Sequence, residues 1–196
     1  MGSDADALGA LIGERVRTER HQRGWTLDQL SQRCGVSRRM LVSIEQGVTN
    51  PSIATLLRLS DALGIGLPEL VAPGASAAVT IRRKADRTPL WTSDRGGQAV
   101  LTAGTRAPNV IELWDWELGP GDDYRSEPHS RGTQELLTVL KGTVRLSVGE
   151  QQWVLRIGDS ASFAADVAHG YANAGGSSAR FALTVYEPDV GTGAPR

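Results

Sequence analysis

Cysteine is nearly missing from this sequence: Cys34 is the one instance in 196 residues, which excludes an intrachain disulfide framework. Also missing is any run of about eighteen apolar residues able to span a bilayer. The opening stretch, MGSDADALGALIGERVRTER, begins acidic and turns amphipathic, without the basic start and apolar middle of a secretory signal. These absences lead to the expectation of a cytoplasmic chain with no membrane partner. Charge imbalance is lacking too. With 21 basic and 22 acidic residues the formal net charge is -1, so the total gives no support to a polyanionic partner. Hydrophobic content of 40% and charged content of 22% are ordinary globular values and argue against wholesale disorder.

Distribution says more than the totals. Between Leu8 and Pro68 there is no lysine, and the arginines 15, 17, 20, 23, 33, 38, 39 and 58 outweigh Glu14, Glu19, Asp28, Glu45 and Asp61 by roughly three charges. A second basic cluster follows at Arg82, Arg83, Lys84 and Arg87. Before about residue 72 apolar residues recur at helical spacing; after about residue 78 they come in short runs punctuated by Gly and Pro. The small, uncharged segment VAPGASAA between them suits a linker. The expected organisation is a helical domain over 8–72, a linker over 73–78 and an all-β domain over 79–190.

In the first half, Leu8, Leu11, Ile12 and Val16 form the apolar stripe of a helix that ends near Gly24. Thr26 is placed to cap a second helix through Leu27 and Leu30, stopped by Gly35. Val36 and Ser37 separate it from a third, with Met40, Leu41 and Ile44, that closes at Gly47. Two short helices joined by a Gly-containing turn form a helix-turn-helix unit. Ser52 is placed to cap a fourth helix, and GLPELV supplies a short fifth. Cys34 reads as a small core residue rather than a nucleophile, because no histidine lies near it in sequence.

The run TLDQLSQRCGVSRRMLVSIEQGVTNPSIATLLRLSDALGI resembles the phage-repressor and XRE family at Thr26, Leu30, Gly35, Val36, Ser37, Ile44, Glu45, Gly47, Asn50, Pro51, Leu56, Leu63 and Gly64. The resemblance implies a five-helix, repressor-like domain whose third helix, opening at Ser37, enters a major groove about 12 Å wide. It implies that Arg38, Arg39 and Ser43 read base edges, and that Thr26, Gln46 and Asn50 lie near phosphates. Arginine suits bidentate contact with guanine O6 and N7, so at least one of the pair is expected to read a G. Leu27 stands where the family often has Gln, and Val42 replaces a small polar residue. Arg20 and Glu45 occupy the family's structural ion-pair positions.

From residue 78 onward the expected strands are AVTIRR, QAVLTAG, VIELWDWELG, ELLTVLKG, TVRLSVG, QQWVLRIG, ASFAA, HGYANA and ARFALTVYE, which favour a sandwich or barrel. Trp114, Trp116, Tyr124, Trp153, Phe163 and Tyr171 are the large candidates for its interior. Two segments, residues 121–142 with Gly121, His129, Glu135 and Gly142, and residues 158–173 with Gly158, His169 and Asn173, resemble the paired signatures of the cupin superfamily, a jelly-roll β-barrel. The resemblance implies a metal or effector set of Glu127, His129, Glu135 and His169, suited to a divalent Zn, Mn, Fe or Ni ion. Glu127 stands where cupins usually have a first His, and the gap from His129 to Glu135 is longer than typical. The alternative has these groups hydrogen-bonding one another or an organic ligand.

The two resemblances together imply a bacterial transcriptional regulator, a repressor by expectation, that binds a double-stranded operator as a homodimer and senses a small molecule or metal in the barrel. A metal-dependent cupin enzyme of dioxygenase or isomerase type with an accessory helical domain is the rival reading. An antitoxin-like interaction module is a third.

Overall fold

The computed structural model describes residues 4–71 and 79–191, and they fall into two compact units. The first runs to Thr88 and takes in Thr105–Pro108 and the segment from Asp189; the second comprises Pro89–Gly104 and Asn109–Pro188. The expected linker at 73–78 lies outside the described residues. No described helix is long and apolar enough to cross a membrane.

The first unit holds α1 (Asp4–Gln22), α2 (Leu27–Cys34), α3 (Arg38–Glu45), α4 (Ile53–Leu63) and α5 (Leu67–Leu70). Its helix ends are written locally. Thr26 Oγ1 accepts from Gln29 N at 3.2 Å while Gln29 Oε1 accepts from Thr26 N at 2.8 Å, a reciprocal cap that satisfies donors orphaned at the start of α2. Gly35 ends α2 in the left-handed region at φ 66°, which costs Gly no Cβ clash. Ser37 Oγ and Ser52 Oγ cap α3 and α4 at 3.3 and 3.2 Å. The core is Ile12, Val16, Leu30, Leu41, Ile44, Leu56, Leu59, Leu63, Leu67 and Leu70, each at most 1% exposed. Full burial of such side chains stabilises by about 1.5–3 kcal/mol each. Cys34 is buried as expected, and burial pushes its thiol pKa up.

Gly13, inside α1, is required by a close approach. A Cβ there would lie 2.2 Å from Ile44 O and 3.2 Å from Gly47 N, so the backbone of α1 rests on the C-terminal end of α3.

The second unit holds β1 (Trp91–Thr92), β2 (Gln98–Gly104), β3 (Val110–Leu118), β4 (Asp123–Ser126), β5 (Gln134–Lys141), β6 (Thr143–Val148), β7 (Gln151–Arg156), β8 (Ser160–Ala164), β9 (His169–Asn173) and β10 (Ala179–Glu187). They form a six-stranded sheet, β1-β2-β3-β10-β5-β8, and a four-stranded sheet, β4-β9-β6-β7. The pairings are antiparallel. Strict alternation on β3 and β10 sends Trp114, Trp116, Phe181 and Leu183 inward. There Trp116 meets Phe181 in a stacked pair at 5.8 Å and Tyr171, from the other sheet, at 5.6 Å.

Three expectations for the β domain are corrected. Residues 79–83 of AVTIRR are not a strand, and residues 79–88 group with the first unit. Val79 and Ile81 are 73% and 65% exposed, and the chain next makes a single 3₁₀ turn at Lys84–Asp86. Apolar side chains beside a basic run have no sheet face to bury. Two short strands, β1 and β4, escaped notice because two and four residues carry too little alternation to read. Trp153, expected inside, is 45% exposed on β7, because that strand ends its sheet.

Candidate functional site

Two regions carry chemistry, one in each unit. On α3, Leu41 and Ile44 face the core, while Ser37, Arg38, Arg39 and Gln46 are exposed and Ser43 half-buried. Thr26 and Asn50 are exposed too. The seven residues expected at DNA therefore all have accessible surface, and the helix presents a polar face from its N-terminus. Arg38 Nε lies 3.2 Å from Asp28 Oδ1 on α2, with both side chains more than 60% exposed at 62% and 72%. Such a pair is weak and exchangeable with solvent. Arg39 makes no ion pair among the described residues, and its carbonyl accepts from Ser43 Oγ at 3.2 Å.

Other arginines are committed to the fold. Arg20 holds Glu45 through Nε–Oε1 at 2.6 Å and Nη2–Oε2 at 2.8 Å, and donates a third bond to Trp25 O. That fork ties α1 to α3 where the resemblance placed it. The bond with Glu45 raises the Arg20 pKa, against burial, which lowers it. Arg15 and Arg23 pair with the buried Glu19 at 3.1 and 2.5 Å, and Arg15 also reaches Glu69 at 3.0 Å. Arg33 lies over the Trp25 ring at 4.3 Å.

In the barrel, His129, Glu135 and His169 each turn a ligand atom to one spot, all within 4.8 Å of one another. The long gap from His129 to Glu135 is taken up by a turn in which Thr133 Oγ1 donates to Ser130 O at 2.7 Å and Gly132 adopts φ 83°. Glu127 does not join the set. Alternation along β4 turns Tyr124 and Ser126 partly inward and leaves Asp123 and Arg125 outward, and Glu127, just past the strand's end, is exposed. The expected four-residue set is corrected to three.

His129 Nε2 is 3.1 Å from Glu135 Oε1. His169 Nε2 lies 3.4 Å from the same oxygen, at ion-pair distance but without hydrogen-bond geometry. His169 Nδ1 is 2.8 Å from Val167 O, an arrangement in which Nδ1–H donates and the Nε2 lone pair faces the cluster. Burial pushes the Glu135 carboxyl up, yet the hydrogen bond with His129 and the close, positively charged approach of both imidazoles overcome it and bring it down to about 2. Burial pulls His169 down, and Glu135 more than offsets this, so its pKa is raised. Two imidazoles and one carboxylate, with a buried nitrogen lacking a hydrogen-bond partner, fit a divalent first-row ion.

Three residues near this cluster went unremarked or were read only as core. Tyr171, two residues beyond His169 on β9, donates its hydroxyl to Glu135 Oε2; burial, then the Glu135 charge, holds that hydroxyl protonated well above its usual pKa. Glu112 and Glu187 are 1% and 3% exposed. Burial, then Glu187 and Glu135, push the Glu112 carboxyl well up. Its Oε2 accepts from Trp114 Nε1 at 2.8 Å, and its buried Oε1 has no partner. The available signal was the two-residue period of VIELWDWEL, which puts Glu112 on the same face as Trp114 and Trp116.

A family model described as Helix-turn-helix matches residues 16–70, and one described as Cupin domain matches residues 114–186. The chain is similar to the HTH-type transcriptional regulator SutR of Escherichia coli (strain K12), 28% identical over 182 residues that cover 92% of this chain and 97% of that protein. Its helical part is similar to the uncharacterized HTH-type transcriptional regulator y4dJ of Sinorhizobium fredii, 38% identical over 63 residues, 32% of this chain and 82% of that protein. Among solved structures it is similar to an HTH_3 family transcriptional regulator from Vibrio cholerae, with a TM-score of 0.71 and 25% identity over 95% of this chain and 99% of that one.

Proposed function

Because the chain belongs to the helix-turn-helix transcriptional regulators and joins its DNA-binding domain to a cupin domain, we propose that it is a cytoplasmic repressor whose operator affinity is set by what the barrel holds. Arg39 and Arg38 read base edges from the start of α3, Ser43 lies one turn on, and Thr26, Ser37, Gln46 and Asn50 position the helix on phosphates. The observation carrying this reading is the exposed polar face of α3 opposite the buried Leu41 and Ile44. One helix-turn-helix contacts few base pairs, so two copies on paired half-sites supply operator choice.

The barrel is a sensor rather than a catalytic site in this proposal. His129, Glu135 and His169 would hold a divalent ion, which would supply a Lewis-acidic point for an oxygen- or nitrogen-bearing effector. Tyr171 orients the Glu135 carboxylate, and Val167 O fixes the His169 tautomer. Control requires that the occupied barrel favour one arrangement of the dimer over another, since equal affinity for both shifts nothing.

The test is selection of genomic DNA fragments by the full chain and by an Arg38→Ala, Arg39→Ala double variant. Specific enrichment that disappears in the variant supports the assignment; the same site enriched by both overturns it. Metal analysis of the purified chain and of His169→Ala, with operator affinity measured before and after chelation, tests the sensor half. A metal that binds yet leaves operator affinity unchanged overturns metal control.

A further inference from the structure

β7 ends the four-stranded sheet, so one of its long edges has no strand partner. Its backbone there faces outward at alternate residues. Arg156 N turns away from β6 and donates to Asp159 Oδ2 at 2.7 Å, so by the antiparallel alternation Val154 and Gln152 present N–H and C=O to the same open side. Proteins ordinarily blunt such edges with charge, brevity or small polar residues. The other terminal strands do so: β1 has two residues, β4 carries Asp123 and Arg125, and β8 exposes Ser160, Ser162 and Ala164 while Ala161 and Phe163 are half-buried. β7 does the reverse. Gln151 to Leu155 carry no charge, Trp153 and Val154 are 45% and 53% exposed, and Ile157 just beyond is 66% exposed.

We propose that β7 pairs antiparallel with β7 of a second copy of this chain across a two-fold axis at Trp153, joining two four-stranded sheets into one. The proposal deepens the dimer reading above, resting on it for the number of copies and not for DNA contact. The strand is complementary to itself in this register. Gln152 faces Val154 of the second copy and the reverse, so both outward-facing backbone positions find partners in hydrogen-bonded pairs. Trp153 meets Trp153 on the axis. Arg156 stands opposite Glu150 of the second copy at each end, opposite charges on exposed side chains. Moving the axis to Val154 sets Arg156 against Gln152 and leaves Glu150 beyond the pairing. A two-fold contact uses the same patch on both subunits, and an edge strand meeting itself satisfies this with one short segment.

The experiment uses the full chain, with mass read by sedimentation and folding checked by circular dichroism. Wild type is expected to be a dimer. Glu150→Arg and Arg156→Glu singly should each weaken the dimer at least about tenfold, since like charges then oppose at both ends, and the double reversal should restore it. Trp153→Cys should give a covalent dimer on oxidation, because non-hydrogen-bonded pairs bring Cα atoms to about 4.5 Å, within disulfide reach. Val154→Cys, opposite Gln152, should not; Cys34 is buried and silent. A monomeric wild type overturns the proposal. So does a dimer indifferent to both reversals, including one broken instead by Leu113→Lys or Leu136→Lys on the outer face of the six-stranded sheet. Failure here leaves the Arg38, Arg39 enrichment test intact, so the interface and the DNA assignment fall separately.

Discussion

The outward face of α3 and the cluster at Glu135 treat charge in opposite ways. On the outward face of α3 the arginines stand in water, and the pair of Arg38 with Asp28 is exposed on both sides. In the barrel, Glu135 is 2% exposed and is held by His129, His169 and the Tyr171 hydroxyl. A surface that must trade water for phosphate and base edges gains from side chains that cost little to redirect. A ligand pocket gains from groups whose orientation is fixed before the ligand arrives. The helical unit contains both kinds of arginine, since Arg20 is locked to a half-buried Glu45 while Arg39 makes no ion pair among the described residues.

That contrast can be tested, beginning with the largest expected effect. Arg20→Ala leaves the Glu45 carboxylate, 8% exposed, without its partner, and should cost about 3–5 kcal/mol in urea unfolding of the helical unit. A loss below about 1 kcal/mol would erase the distinction between the two classes of arginine. Arg39→Ala should do the converse, lowering operator affinity by about 1–3 kcal/mol while unfolding stays within about 0.5 kcal/mol of wild type. Tyr171→Phe removes one bond from Glu135 and should weaken divalent-metal affinity about 10–100-fold by calorimetric titration, with the helical unit unaffected.

The smallest effect is on pH. In metal-free protein the raised pKa of His169 makes its contribution to stability full below about pH 6.5, its usual value, and lost as pH rises through the folded value. Glu135 works in the other direction: its contribution is present above about pH 4.3 and is lost as pH falls through about 2. The melting temperature of chelated protein should therefore be highest between these limits. Metal should bind better as pH rises, because the ion needs His169 unprotonated, and competition with protons should begin at higher pH than at an ordinary histidine. Metal uptake independent of pH between 6 and 8 would remove His169 from the ligand set.

The helical unit was legible because its instructions are local. Thr26, Gly35, Ser37 and Ser52 act within a few residues of themselves, and each stands at a helix end. Gly13 was not noticed, since the contact that requires it is with Ile44, far along the chain. In the barrel, His129, Glu135, His169 and Glu127 all came from the one resemblance; the first three converge, whereas Glu127 lies exposed just past the end of β4. Tyr171, two residues beyond His169 on β9, shares a strand face with it by the two-residue period. Trp153 was misjudged for a different reason: alternation says which face a side chain takes, not whether another strand lies beyond it.

Gly13 has one more implication. Where two helices meet through side chains, their crossing can drift by small steps, a methyl group gained on one side and lost on the other. Here main chain meets main chain at Ile44, and no smaller residue exists to try. The seat of α3 is therefore a fixed point in the domain's history, and changes of operator preference have to come from the outward side chains rather than from tilting the helix that bears them.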